Sequence, residues 1–261
     1  MTRKVIITGA GSGIGKEFTK LYVADGSEVL AVSLLDDELR TLATELDPKY
    51  RSINTLALDL ALPDSAAELF RWCTDNDWLL DVLINNAGFA CFGDAVDLAT
   101  DRVVKMLQLN VQTLTLTSMM FGKLMKQRGH GTILNVGSTA GMVPSTRMAA
   151  YCASKSYVNA FTYALAAELK PYGVRVTCLT PGMTQTNFTR ASGIDTYSGK
   201  SFLQNTFARG RATSAAEVAE AGYHALANGK RQARVGRGSL FAALASRMLT
   251  QRRLPSLIKN P

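Results

Sequence analysis

Tyr151 and Lys155 stand four residues apart in the run Tyr151-Cys152-Ala153-Ser154-Lys155. On a helix that spacing puts a phenol and an ammonium on one face, a turn apart. A free tyrosine titrates at about 10 and is a poor acid–base group at neutral pH. A neighbouring lysine cation favours the phenolate and moves that value toward the working range. Alone, such a pair also fits an ordinary exposed helix. Here Ser138 lies thirteen residues before Tyr151, where the apolar run Ile133–Gly137 ends, and adds a hydroxyl. Asn110 falls inside an otherwise apolar helical stretch (Leu107, Leu109, Val111, Leu114). A buried amide needs hydrogen-bond partners or it costs stability, so a purely structural Asn110 stays open.

A second constellation is made of glycines. Thr8-Gly9-Ala10-Gly11-Ser12-Gly13-Ile14-Gly15 follows the first apolar run and opens a helical stretch. Glycines let the backbone turn tightly and approach a pyrophosphate, whose charge is met by the helix N-terminus. The spacing is Gly-x-x-x-Gly-x-Gly rather than the Gly-x-Gly-x-x-Gly of many dinucleotide folds. A merely structural turn is the alternative.

The elements that must position these residues alternate. Apolar, β-branched runs occur at 4–8, 28–34, 52–58, 81–85, 131–137, 174–180 and 232–235. Helical patterns lie between them at 13–25, 37–46, 64–76, 100–127, 150–171 and 214–228. Pro63 and Ser214 suit helix starts, while Gly26, Gly173 and Gly229 suit helix ends. Several of the apolar runs are continuous, as in parallel strands buried on both faces. The expected fold is α/β, a Rossmann-type doubly wound parallel sheet of about seven strands with helices on both faces. Ligands in such folds gather at the carboxyl ends of the strands, where every motif above falls. With 261 residues and no linker or repeat, a single domain spanning 1–261 is expected.

These motifs resemble the short-chain dehydrogenase/reductase family, and the resemblance runs almost the length of the chain. The family's loop reads Thr-Gly-x-x-x-Gly-Ile-Gly, as residues 8–15 do. By this resemblance Gly9, Ser12, Gly13, Ile14 and Gly15 hold the cofactor phosphates. Asp59-Leu60 matches the family's adenine-contacting position. Asn86-Ala87-Gly88, within Asn85-Asn86-Ala87-Gly88, matches the stretch beside the adenosine ribose, and Pro181-Gly182-Met183-Thr184 the segment flanking the nicotinamide. The family's catalytic Asn, Ser, Tyr and Lys map onto Asn110, Ser138, Tyr151 and Lys155. The resemblance implies that Tyr151 exchanges a proton with the substrate oxygen while Ser138 hydrogen-bonds the same oxygen. It implies that Lys155 holds the nicotinamide ribose hydroxyls and that Asn110 positions a water passing protons to solvent. The implied activity is hydride transfer between a nicotinamide and a carbonyl or secondary alcohol. The broad DltE-like reductase branch, whose members carry similar tails, is the nearest in general character. A cofactor-binding regulatory protein without turnover is the alternative, and the complete tetrad argues against it.

Cofactor choice is set at the end of the second strand, where an acid pairs with the NAD ribose 2′-OH and an Arg accommodates the NADP phosphate. Ser33 occupies the acid's position and Leu34 the Arg's. Asp36 reads as the N-cap of the next helix. With no acid to repel a phosphate and Ser33 able to bond one, NADP(H) is favoured and NAD(H) stays open. Residues 183–213 are expected to form the substrate loop, with Phe188, Tyr197, Phe202 and Phe207. Phe89, Phe92, Met142 and Met148 are candidates for the same cleft. That inventory favours a lipophilic ketone, with packing in the core as the competing reading.

The net charge of +8 does not mark a nucleic-acid binder. Eight basic residues and no acid occur from Lys230 onward, and the 21 remaining basic residues match the 21 acids before them. The tail at 237–261 carries Leu240, Phe241, Leu244, Met248 and Leu249 at helical period, with Ser246, Arg247 and Arg253 mainly opposite. Docking on the domain or on a second subunit is favoured over an anionic membrane surface. Nucleic-acid binding needs base-stacking aromatics among the charges, and the tail has Phe241 alone. Cys73, Cys91, Cys152 and Cys178 share no ligand spacing and read as buried thiols. His130 and His224 read as surface residues, and no metal is proposed. A strand beginning so near Met1, and no apolar run approaching the ~20 residues of a membrane span, make a cytoplasmic protein the expectation. A homo-oligomer is expected, since the helices at 100–127 and 150–171 are those that pair subunits in the family.

Overall fold

In the first strand, β1 (Lys4–Thr8), Val5, Ile6 and Ile7 are all fully buried although alternate residues point to opposite faces. Both faces of the sheet must therefore be covered. A computed structural model of the chain, which describes residues 2–47, 52–185 and 212–236, shows the cover. Val5 and Ile7 pack with Phe18, Tyr22, Leu39, Leu42 and Val218 of helices α1 (Gly13–Ala24), α2 (Asp36–Leu46) and α7 (Ala215–Ala227). Ile6 packs in a second cluster with Leu69, Phe121, Met125 and Leu165 of α3 (Ser65–Asp75), α5 (Leu114–Arg128) and α6 (Ala149–Leu169).

The strands are parallel throughout. To β1 are added β2 (Glu28–Ser33), β3 (Ile53–Ala57), β4 (Val82–Asn85), β5 (Gly131–Val136), β6 (Val174–Pro181) and β9 (Gln232–Val235), in the order β3-β2-β1-β4-β5-β6-β9. The winding reverses between β1 and β4, which opens a crevice at the carboxyl ends of those two strands. A separate two-stranded piece, β7 (Thr184–Gln185) with β8 (Thr213–Ser214), pairs in parallel with Thr184 opposite Thr213. Four residues are too few to leave a sequence signal, and this pair had none. Most of the expected substrate loop, 186–211, and the tail at 237–261 lie outside the described residues.

Three local expectations need correcting. The helix expected over 100–127 is broken: α4 (Thr100–Leu107) passes into a π-helical turn, Gln108–Thr113, before α5 begins. Asp36 is not an N-cap. Leu35 holds that position, and Asp36 lies in the first turn, accepting a hydrogen bond from Arg40 Nε at 2.7 Å. At α3 the N-cap is Asp64, one residue after Pro63. The start of α7 is as expected, with a reciprocal capping box in which Ser214 Oγ accepts from Glu217 N at 3.1 Å.

One buried polar chain ties the helices that carry the site to the sheet. Asn85 and Asn135 are register partners on β4 and β5. Asn85 Nδ2 donates to Asn135 Oδ1 at 2.9 Å and to Ser118 Oγ of α5 at 3.0 Å, while Thr117 Oγ1 donates to Asn85 Oδ1 at 2.9 Å. Asn135 Nδ2 in turn donates to Thr162 Oγ1 of α6 at 3.1 Å. Each amide is satisfied only by the other members, so the helices cannot slide without orphaning a buried group. Replacing Asn135 with Ala should lower stability by about 1–3 kcal/mol, since it removes an acceptor from the buried Asn85 amide and a donor to the Thr162 hydroxyl oxygen, leaving each with fewer partners. The expected readout is a lower urea midpoint with an unchanged slope.

Candidate active site

Thr8 ends β1 with its hydroxyl turned inward. Its Oγ1 accepts from the amides of Asn86 at 2.9 Å and Ala87 at 3.0 Å, tying the end of β1 to the end of β4. The Asn86 side chain reinforces the tie, since Nδ2 donates to the Thr8 carbonyl at 2.9 Å and to the Gly9 carbonyl at 3.2 Å. The backbone turns at Gly9 with φ +65°, which disfavours any side chain. A methyl group on Gly15 would overlap the Gly9 carbonyl oxygen, so helix and loop touch through backbone alone. Ser12, the N-cap of α1, is extended and its side chain caps no amide of the first turn. The N-terminus of α1 thus presents backbone donors and the positive end of the helix dipole, a fit for a dinucleotide pyrophosphate.

The tetrad assembles on the other side of the crevice. Ser138 follows β5 with extended backbone, and its Oγ accepts from Ala140 N at 3.1 Å. Its hydroxyl lies beside the phenol of Tyr151, which is buried on α6. Lys155, one turn on, is also buried, and its Nζ donates to the Val136 carbonyl at 2.8 Å. Asn110 sits in the π-helical turn, wholly buried. Its Nδ2 donates to the Phe89 carbonyl at 2.9 Å and to Ser154 Oγ at 3.2 Å, and its Oδ1 accepts from Phe89 N at 3.2 Å. Gly88 lies where these groups converge: a methyl there would be 2.8 Å from Asn110 Oδ1 and 3.6 Å from Lys155 Nζ. A π turn inserts an extra residue into the helical ladder and re-aims the side chains around it, a device that recurs at functional sites.

The electrostatics differ from the simple expectation for Tyr151. Burial pushes its phenol well above the ordinary tyrosine range, and the hydrogen bond with Ser138 pulls it only part of the way back. The lysine amine is turned toward the Val136 carbonyl. Lys155 itself is brought down to about 8, because burial penalises its charged form.

The other expected residues fall around the same crevice. Asp59 and Leu60 follow β3, and Leu60 lines a small cavity with Ala87, Leu109 and Thr113. Asp59 Oδ1 accepts from Ala61 N at 2.9 Å. Gly182 N donates to the Val235 carbonyl at 2.8 Å, and Thr184 Oγ1 to the Gly182 carbonyl at 3.1 Å, which fixes the turn after Pro181. Asn86 braces the glycine loop with its side chain and leaves its neighbours Ala87 and Gly88 to face the crevice. Of the four apolar candidates for the cleft, Phe92 and Met148 are buried in a cluster against Tyr151 and Cys152, whereas Phe89 and Met142 stay part-exposed. The four cysteines are buried. His130 and His224 are exposed. Among the described residues no helix is long and apolar enough to cross a membrane. Two residues escaped the sequence reading: Asn135, an amide inside the apolar run Ile133–Val136, and Glu38, whose type and position on a helix gave no signal.

A family model described as short chain dehydrogenase matches residues 3–196. The chain belongs to the short-chain dehydrogenase family. The solved structure of a short-chain dehydrogenase from Sphingobium yanoikuyae in complex with NADPH superposes with a TM-score of 0.80 at 26% identity, covering 94% of this chain and 93% of that one. An NAD-dependent glycerol dehydrogenase of Listeria innocua is 31% identical over 184 residues, 69% of this chain and 70% of the relative. An oxidoreductase of Mycobacterium tuberculosis, EphD, is 28% identical over 190 residues, 72% of this chain. The match spans about a third of EphD, 32% of its length. The matched short-chain dehydrogenase region contains the glycine loop and all four residues of the tetrad.

The depressed Lys155 value makes a sign-definite prediction. Between pH 8 and 10.5 the unfolded chain keeps the Lys155 proton while the folded chain gives it up. Its burial penalty is therefore full below pH 8 and relieved as pH rises toward 10.5. Relative to Lys155→Met, the natural protein should gain about 1–3 kcal/mol of stability across that window. Urea unfolding of both proteins at matched pH values measures it, and a pH-independent difference would contradict a buried ammonium.

Proposed function

We propose that the chain is an NAD(P)-dependent carbonyl reductase or alcohol dehydrogenase with Tyr151 as its general acid and base. The observation that carries this reading is the Tyr151 phenol beside the Ser138 hydroxyl, with Lys155 one turn along the same helix and Asn110 tied to that helix through Ser154. Gly9, Ser12, Gly13, Ile14 and Gly15 would hold the dinucleotide phosphates, Ser33 and Asp59-Leu60 would border the adenosine, and Ala87-Gly88 would lie along the ribose. Pro181, Gly182 and Thr184 would flank the nicotinamide. When bound, that ring supplies or accepts the hydride. The protein contributes orientation and proton transfer.

The substrate oxygen sits between the two hydroxyls. Ser138 donates a hydrogen bond to it and fixes the carbonyl. Tyr151, kept protonated through neutral pH by its burial, delivers the proton that the reduced oxygen needs. In the oxidation direction the same phenol must first lose its proton, so Tyr151 then acts as base. The Lys155 ammonium holds the ribose hydroxyls and supports the phenolate. Asn110, held by Phe89 and Ser154, positions a water beside Lys155 through which protons reach solvent.

A lipophilic ketone or secondary alcohol fits the part-exposed Phe89, held against Asn110, and Met142, four residues after Ser138. Exposed Val104 of α4, Met119 of α5 and Tyr157 of α6 support a homo-oligomer formed through these helices. Buried thiols suit a reducing, cytoplasmic compartment. The relatives do not decide the cofactor, one being held with NADPH and another named for NAD. Ser33 and Leu34 at the end of β2 carry no charge that would repel a 2′-phosphate, which by itself favours NADP(H) and leaves NAD(H) open.

Tyr151→Phe should abolish turnover on a panel of ketones followed by nicotinamide absorbance, and leave cofactor affinity within a few fold. Retained activity would remove Tyr151 from the acid–base role. In the natural protein the rate of alcohol oxidation should climb as pH rises above neutrality, while ketone reduction holds or declines, because burial favours the protonated phenol.

A further inference from the structure

The end of β2 lacks the acid that selects NAD, but an acid reaches the same place from the next helix. A methyl group on Gly11 of the phosphate loop would overlap Glu38 Oε2 and lie 2.9 Å from both Glu38 Cβ and Ser33 Oγ. The carboxylate, the Ser33 hydroxyl and the Gly11 backbone therefore border one small space. In a doubly wound sheet that space, between the glycine loop and the end of the second strand, is where the adenosine ribose hydroxyls lie. Exposure follows the same pattern: Leu34, Leu35, Asp36 and Asp37 are exposed, and Glu38 is partly covered because its side chain folds back over the loop.

We propose that Glu38 is the cofactor-selecting residue, taking the ribose 2′- and 3′-hydroxyls of NAD(H) and excluding the 2′-phosphate of NADP(H). This rests on the nicotinamide-dependent reading of the site. An ionised carboxylate accepts hydrogen bonds from a diol, and such charge-assisted bonds are stronger than neutral ones. A phosphate in the same space would meet a like charge. Two basic residues that flank this region already have acidic partners: Arg40 of α2 pairs with Asp36 at 2.7 Å and Lys16 of α1 with Glu45 at 2.6 Å. Ser33 alone could accept a phosphate; Ser33 beside Glu38 is a neutral donor next to an anion, and that combination suits a hydroxyl. The absent acid at position 33 is thus replaced from five residues further on, in the first turn of α2.

The test is calorimetric titration of the full chain and of Glu38→Gln and Glu38→Lys with NADH and NADPH, and with the fragments 5′-AMP and 2′,5′-ADP. The natural protein should bind NADH about 10–100-fold more tightly than NADPH, the range of one or two hydrogen bonds to a charged group. Glu38→Gln should erase most of that ratio and Glu38→Lys should invert it, with the two fragments following the same order. Circular dichroism verifies that each variant is folded. A natural preference for NADPH, or a ratio that Glu38→Gln leaves unchanged, overturns the assignment while leaving the dinucleotide site standing. Failure of every ligand to bind the natural protein overturns both.

Discussion

A buried ammonium with one carbonyl as its hydrogen-bond partner among the described residues is an expensive group, and the arrangement around Lys155 is organised by it. Desolvation alone would drive the proton off. The Val136 carbonyl, at the last residue of β5, meets part of the demand at 2.8 Å. That bond fixes how far β5 and α6 can part, and so where Tyr151 stands relative to Ser138. Gly141 extends the constraint: a methyl group there would overlap the backbone carbonyl of Lys155, so the turn after Ser138 is pressed directly onto α6. Ser156 Oγ closes the contact by donating to the Gly141 carbonyl at 2.8 Å. Phenol, hydroxyl and ammonium are therefore held by backbone packing rather than by their own mutual attraction.

Asn110 solves a complementary problem. An amide carried on a regular α-helix at that depth would have to choose between its helix and its neighbours. The π turn gives α4 and α5 separate rotational settings and leaves the amide to grip both polar groups of Phe89. The structural reading of Asn110 and the proton-relay reading are therefore not rivals. The side chain is a brace, and being held so firmly is what would let it orient a water.

Much of this was legible in the sequence. The apolar runs marked all seven strands of the sheet, most plainly β1, β2, β4, β5 and β6, where burial on both faces leaves little polar alternation to hide them. Ser214 announced α7 because a capping box is a local interaction. The Tyr151–Lys155 pair and the glycine loop were legible as motifs, since each depends on short spacing along one element, whereas Ser138 and Asn110 came from elsewhere in the chain through the family resemblance. What escaped depended on distance through space. The π turn leaves no mark in a run of Leu, Val and Thr. Asn135 looks like an oddity in a strand until Asn85 is seen beside it. The pressure of burial on Tyr151 outweighs the helix-face argument from Lys155, and burial is a property of the whole fold. Glu38 looks like one more acid in a helix's first turn until the loop it folds over is known.

The small pair β7–β8 has a consequence for how such a fold can change. Thr184 and Thr213 are held opposite each other, next to the turn at Pro181-Gly182. Any chain joining them departs from and returns to one anchored point. Lengthening or shortening the insertion then adds little closure cost, because its ends are already joined and that cost grows only with the logarithm of length. Nor would the change shift the seven-stranded sheet or the tetrad, both of which are fixed by contacts elsewhere. The fold in effect joins the two ends of this connection at one point beside the crevice, so that its length is decoupled from the register of the main sheet.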